Sequence, residues 1–197
     1  RHIGEKWKHV RAGAEERSRD VKRALDLLEA ARVCYRVRHS AANGVPLGAE
    51  AREDFFKVLF LDVGLACGAS GLEWNDLLDL GFYSVAQGAY AEQFVGQHLL
   101  YGLAPWREPE LHYWARERRG ASAEVDYVIS KGAEVIPIEV KAGKAGTLKS
   151  LRLFIDEKTV GRAVRFNAEP PSILREKDFE LISLPLYLAG QLRRIIG

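Results

Sequence analysis

Apolar residues recur at three- and four-residue intervals from about Ala14 to Val33: Val21, Ala24, Leu25, Leu28 and Ala31. Arg17, Arg19, Lys22, Arg23 and Asp26 stand between them, so this stretch predicts an amphipathic helix with a basic outer face. The period then falls to two in Cys34-Tyr35-Arg36-Val37-Arg38, a strand, and Asn43-Gly44 supplies a turn signal. A second strand is expected at Lys57–Asp62. Basic helix, hairpin and strand in that order predict a small winged-helix-like unit over residues 1–80. The alternative is a helical subdomain packed on the core or on a further part of a longer protein.

A loop-rich acidic stretch from Gly64 to Gly81 follows, with one short helix expected near Leu72–Leu80. Helical spacing returns over roughly Val85–Leu100, where Ala89, Phe94, Val95 and Leu99 form the face that packs on a sheet. Three strands are expected near 111–117, 122–130 and 133–141, joined by Arg118-Arg119-Gly120 and Lys131-Gly132. A helix at 147–158, a strand at Arg162–Asn167, a break at Pro170-Pro171, a last strand near Phe179–Ser183 and a short terminal helix complete the chain. The order helix, three strands, helix, strand predicts an α/β (α+β) unit over residues 81–197.

The chemistry gathers on two of these strands. Asp126 opens an apolar run, and Glu139 and Lys141 alternate along the next, in the spacing D-x12-E-x-K. Residues i and i+2 share a strand face, so Glu139 and Lys141 point one way and Ile138 and Val140 the other. If Gly132 turns the two strands into a hairpin, Asp126 falls near Glu139 at the open end. Two carboxylates and an ammonium meeting on a sheet rim suit a Mg²⁺- or Mn²⁺-dependent phosphodiesterase, which needs hard oxygen ligands and a cation beside water or phosphate. The bland reading is an exposed salt-bridge cluster at a strand edge. Glu124, two residues before Asp126, is either a supporting carboxylate or a solvated one.

The D-x12-E-x-K core resembles the PD-(D/E)XK nuclease superfamily. The resemblance extends through Gly88-Ala89-Tyr90-Ala91-Glu92-Gln93-Phe94-Val95, Tyr113-Trp114, Glu124-Val125-Asp126-Tyr127, Pro137-Ile138-Glu139-Val140-Lys141 and Leu148-Lys149-Ser150-Leu151-Arg152. That ordered series is similar to the uncharacterised C-terminal domain that follows the ATPase module in a large family of prokaryotic AAA-type ATPases. The resemblance implies a restriction-endonuclease-like core and a nuclease site with Asp126, Glu139 and Lys141 as catalytic residues. Its metal ligands would be Asp126, Glu139 and the Val140 carbonyl, with Glu92 on the first core helix binding directly or through water. Lys141 would orient the attacking water or offset charge on the phosphate. Arg116, Arg118, Arg119, Lys144, Lys149 and Arg152 are candidates for holding a DNA backbone. Trp106, Tyr113 and Trp114 are candidates for base stacking, with core or interface packing as the competing role.

Composition adds limits. The chain of 197 residues is 47% hydrophobic and 28% charged, an ordinary globular balance. No apolar run approaches a membrane span, and the start lacks a signal-peptide core, so the expected location is cytoplasmic. Cys34 and Cys67 form no metal-ligand pattern and are expected to be reduced thiols. Net charge is only +2, but residues 1–40 carry 11 Lys/Arg against 6 Asp/Glu, whereas residues 41–100 carry 2 against 8. The sequence holds no methionine and no phosphate-binding loop of the G-x-x-x-x-G-K-[ST] type. It therefore reads as a piece of a longer protein, with any ATP site and any oligomerisation supplied by an upstream ATPase. Two functions remain: a metal-dependent deoxyribonuclease domain, or a non-catalytic module that binds DNA, a protein or its own ATPase.

Overall fold

The computed structural model describes residues 15–71, 86–103, 106, 108–118, 121–143 and 147–197. They form five α-helices and an eight-stranded mixed sheet. Helix α1 (Glu15–Ala30) leads into β1 (Cys34–Ser40) and β2 (Ala51–Phe60), then α2 (Val63–Ala69) and α3 (Ala86–Tyr101). Strands β3 (His112–Arg118), β4 (Ala121–Lys131) and β5 (Glu134–Val140) form a meander. Helix α4 (Lys149–Lys158), β6 (Arg162–Asn167), β7 (Ser172–Arg175), β8 (Glu180–Pro185) and α5 (Leu192–Ile195) follow. The strand order is β2-β1-β3-β4-β5-β6-β8-β7. Helix, three strands, helix, strand is thus present from α3 to β6. No described helix is long and apolar enough to cross a membrane.

The first unit is not separate. Strands β1 and β2 pair antiparallel, but β1 also pairs parallel with β3 through Arg38↔His112 and His39↔Tyr113. The expected wing is therefore the outer edge of one continuous sheet. Cys34–Arg38 and Lys57–Asp62 read as strands in the sequence, but nothing local marks the edge of β1 that pairs with β3. The stripe expected along α1 also comes out differently, because Val21, Ala24, Leu28 and Ala31 are exposed and Leu25 is half-buried. Asp62 does not end a strand. It caps α2, accepting the Leu65 N–H at 2.9 Å. The short helix expected at Leu72–Leu80 lies outside the described residues.

Two apolar layers sandwich the sheet. One packs Val37, Leu59, Val95, Leu99, Tyr127, Ile129, Ile136 and Ile138 under α3; the other packs Trp114, Val125, Val128, Leu151, Phe154 and Ala163 under α4. Trp114 meets Phe154 edge to face, with ring centroids 5.1 Å apart. Tyr113 and Trp114 are 1% and 4% exposed, so both are core residues rather than stacking platforms; Trp106 is exposed.

Helix α3 is seated by three contacts. The Gln93 side chain donates to the Phe60 carbonyl at 2.8 Å and accepts the Phe60 N–H at 3.0 Å, so it serves β2 as a neighbouring strand would. Tyr127 Oη donates to the Glu92 carbonyl at 2.8 Å. Gly96 lets the helix lie this close, since a Cβ there would strike Tyr127 and stand 2.8 Å from Leu59. Glu92 is thereby fixed above the middle of the sheet.

Candidate active site

The β4–β5 hairpin turns at Gly132, whose φ of +60° suits glycine, and its register runs from Lys131↔Glu134 to Tyr127↔Ile138. On the other side of β4 the register breaks. His112 faces Val128 and Trp114 faces Val125, so Asp126 and Tyr127 together oppose Tyr113. This is a β-bulge, and it bends a strand to re-aim a side chain. It also reverses the alternation: Val125 and Val128 join the α4 layer, whereas Tyr127 and Ile129 join the α3 layer. Asp126 falls where β4 and β5 part, and its Oδ2 accepts the Val140 N–H at 2.7 Å. The carboxylate stands in for the missing strand partner.

Glu139 and Lys141, two residues apart on the end of β5, form an ion pair. The end of β5 is anchored by the Lys141 N–H, which donates to the Phe166 carbonyl at 2.8 Å. Glu139 is 4% exposed, and its Oε2 is buried without a hydrogen-bond partner. The cluster is therefore not the exposed strand-edge network of the bland reading. Glu124 is half-buried and pairs with Lys57. Lys57, on β2 and 5% exposed, also lies 3.4 Å from Glu92 Oε2. Four acids and two lysines thus meet over the split between β4 and β5.

Electrostatics tie them together. Burial, with added repulsion from Asp126 and Glu124, pushes the Glu92 carboxyl up to about 7 against the pull of Lys57. Burial and then Asp126 raise Glu139 to about 7 against Lys141. Burial raises Asp126 as well, although Lys57 and the Val140 N–H oppose it. For Lys57 burial works against the charge, but Glu92, Glu124 and Asp126 outweigh it and hold the ammonium above the usual lysine range. Lys141 is raised in the same way by Glu139, Asp126 and Glu92. For Glu92, Asp126 and Glu139 the nearby lysines do not make up for burial.

Among the described residues no three acidic, histidine or cysteine side chains are placed to hold a metal together. Glu92 faces Lys57 instead of joining Asp126 and Glu139. The remaining pair still suits Mg²⁺ or Mn²⁺, because such ions are commonly held by one or two carboxylates with waters and substrate phosphate. The bare Glu139 Oε2 is the hard oxygen donor that such an ion would satisfy.

The basic candidates are scattered. Arg116 pairs with Glu157 of α4 at 2.6 Å, and Arg152 makes a two-pronged contact with Glu176 at 2.6 and 3.1 Å. Lys149 is exposed at the start of α4. Arg118 ends β3, and its side chain lies outside the described residues, as do Arg119 and Lys144 altogether. Sequence reasoning missed Lys57, whose only trace was a lysine at the head of the apolar run Val58–Leu61. It also missed Asn167, 1% exposed, next after Phe166 in the strand pairing and with its Nδ2 lacking a partner.

An α/β protein with a buried acid–lysine cluster at the split of its central hairpin is the class this geometry defines. The chain belongs to the family described as "Domain of unknown function (DUF4143)", which matches residues 87–187. A second family, "Domain of unknown function (DUF8612)", matches residues 2–76. The two matched stretches share one sheet. No curated protein and no solved structure matches the chain.

Proposed function

We propose that this chain is a nuclease-like module of the PD-(D/E)XK kind, hydrolysing DNA phosphodiesters with Mg²⁺ or Mn²⁺ as the cytoplasmic C-terminal part of an AAA-type ATPase. The observation that carries the reading is the buried Asp126–Glu139 pair, with one carboxylate oxygen bare and Lys141 beside it. Asp126, Glu139 and the Val140 carbonyl would hold the ion, which would lower the pKa of bound water and offset charge on the phosphate. Lys141 would orient the nucleophile or neutralise the phosphate. The water oxygen bonds to phosphorus as one ester bond breaks, and the departing alkoxide takes up a proton. Lys149 is exposed for a backbone contact, whereas Arg116 and Arg152 would have to leave Glu157 and Glu176.

The test is incubation of supercoiled plasmid and labelled linear DNA with the protein and Mg²⁺ or Mn²⁺. Slow nicking or degradation is expected. Asp126→Ala and Glu139→Ala should abolish it by removing a metal ligand. Lys141→Ala should lower the rate about 10²–10⁴-fold while leaving metal affinity nearly intact. DNA binding should survive all three changes and weaken steeply with salt.

A second reading has its own support. The lysines already occupy the acids, and no three-ligand set exists among the described residues. A fold can keep such a cluster as structure and bind DNA or a protein without cutting. Salt-sensitive DNA binding with neither divalent-cation binding nor cleavage would establish that module and end the nuclease reading.

A further inference from the structure

Lys57 comes from the stretch matched by one family, and every acid around it from the stretch matched by the other. Its Nζ is 3.4 Å from Glu92 Oε2, paired with Glu124, and 5.3 Å from the Tyr113 ring centre. An ammonium has three N–H donors, and these three neighbours surround it. Glu92 and Glu124 are thereby turned toward a positive charge that the chain itself provides. Beside them lies a cavity of about 10 Å³, bounded by Lys57, Leu59, Ala89, Glu92 and Tyr127. It has room for one water at most. A Mg²⁺ ion that keeps several waters does not fit there while Lys57 is in place.

We propose that Lys57 is the resident cation of this site. It takes the place of a second divalent ion beside Glu92 and Glu124, and leaves Asp126 and Glu139 as the one pair open to metal. The proposal rests on the metal-dependent reading and deepens it: the site works with a single divalent ion, and a residue of β2 sets that number. Asp126 is the meeting point, since both Lys57 and Lys141 act on it while its Oδ2 is tied to Val140. Glu92, expected from the sequence to share the metal, becomes a positioning residue that holds Lys57.

The experiment is calorimetric titration of the whole chain with Mn²⁺, with thermal melting to confirm folding. Wild type is expected to bind one ion. Lys57→Ala should bind two, because Glu92 and Glu124 are freed with no counter-charge and the space the lysine filled is opened; Lys57→Arg should bind one again. A purely structural role for Lys57 would leave the count at one in all three proteins and would overturn the proposal. Should Lys57→Ala fail to fold, Glu92→Gln decides: a Kd within about twofold of wild type supports the proposal, and any larger loss overturns it. Wild type binding no ion, with Lys57→Ala binding one, would support the role of Lys57 while ending the reading of Asp126 and Glu139 as ligands. No binding by either protein would end both.

Discussion

Asp126, Glu139 and Lys141 were legible because their arrangement is local. A two-residue spacing puts Glu139 and Lys141 on one side of a strand, and a glycine turn brings Asp126 back toward them. Lys57 was not legible, because Glu124 lies three strand boundaries away and Glu92 on a helix, and a lysine at the head of an apolar run reads as a surface residue. Asp126 was legible as a neighbour of Glu139 but not as the residue of a bulge, since strict alternation hides an inserted position. The raised carboxyls carry a prediction about pH. A carboxyl whose folded pKa lies above its unfolded value stabilises the fold fully below the unfolded pKa, near 4.5, and that contribution is lost as pH rises through the folded value. Glu92 and Glu139, each near 7 when folded, should therefore make the metal-free protein lose stability between about pH 4.5 and 7. For each group the loss should approach about 1.4 kcal/mol per pH unit crossed in that window. Asp126 repels both groups and Glu124 repels Glu92, and Lys57 and Lys141, charged throughout, temper the loss. His112, held below its usual range by burial, acts in the opposite sense over part of the window. The clean measure is thus the difference between wild type and Glu139→Gln: thermal melts should coincide near pH 4.5 and favour the variant by pH 7. Curves that run parallel would mean that Glu139 is not raised.

At the scale of elements, periodicity located most helices and strands of the second half within a residue or two, and β6 at its observed limits. It failed where tertiary contact decides. Strand β7 was missed because Pro170-Pro171 reads as a break, and the strand is a four-residue, fully exposed edge. The apolar stripe of α1 was visible, but its pattern does not say what covers it. Helix α3 is held by contacts that no local pattern announces, and they can be tested. Gly96→Ala should drive α3 off Tyr127 and Leu59 and cost about 1–3 kcal/mol in denaturant unfolding, as overpacked core positions do. Gln93→Ala should cost about 1–3 kcal/mol for each Phe60 backbone group left buried without a partner. Gln93→Glu keeps the acceptor but turns a buried carboxylate oxygen on the Phe60 carbonyl, and should cost more than Gln93→Ala at a pH where it is ionised. A variant at either position that melts with wild type would show that α3 is seated by its apolar face alone.

For the molecule as a whole, the sequence suggested two units meeting near residue 80, whereas the described chain runs one sheet through both stretches. The reason is physical: strand edges are generic, and nothing in β1 or β3 spells out the other as its neighbour. A chain beginning at residue 81 should consequently fold with the β3 edge bare and self-associate, because an open edge strand is a template for pairing. Light scattering of that truncation against the whole chain checks this; a monodisperse, stable fragment would contradict it. Not every line of the sheet is equally strong, and this bears on how the protein would answer a pull. The seam between β1 and β3 is held by two register pairs, against six between β3 and β4 and six between β6 and β8. Under tension applied through the amino-terminal side, as a motor on that side would apply it, the sheet should tear first along this line, like perforated paper. The torn edge would take Lys57 with it and leave the acids behind.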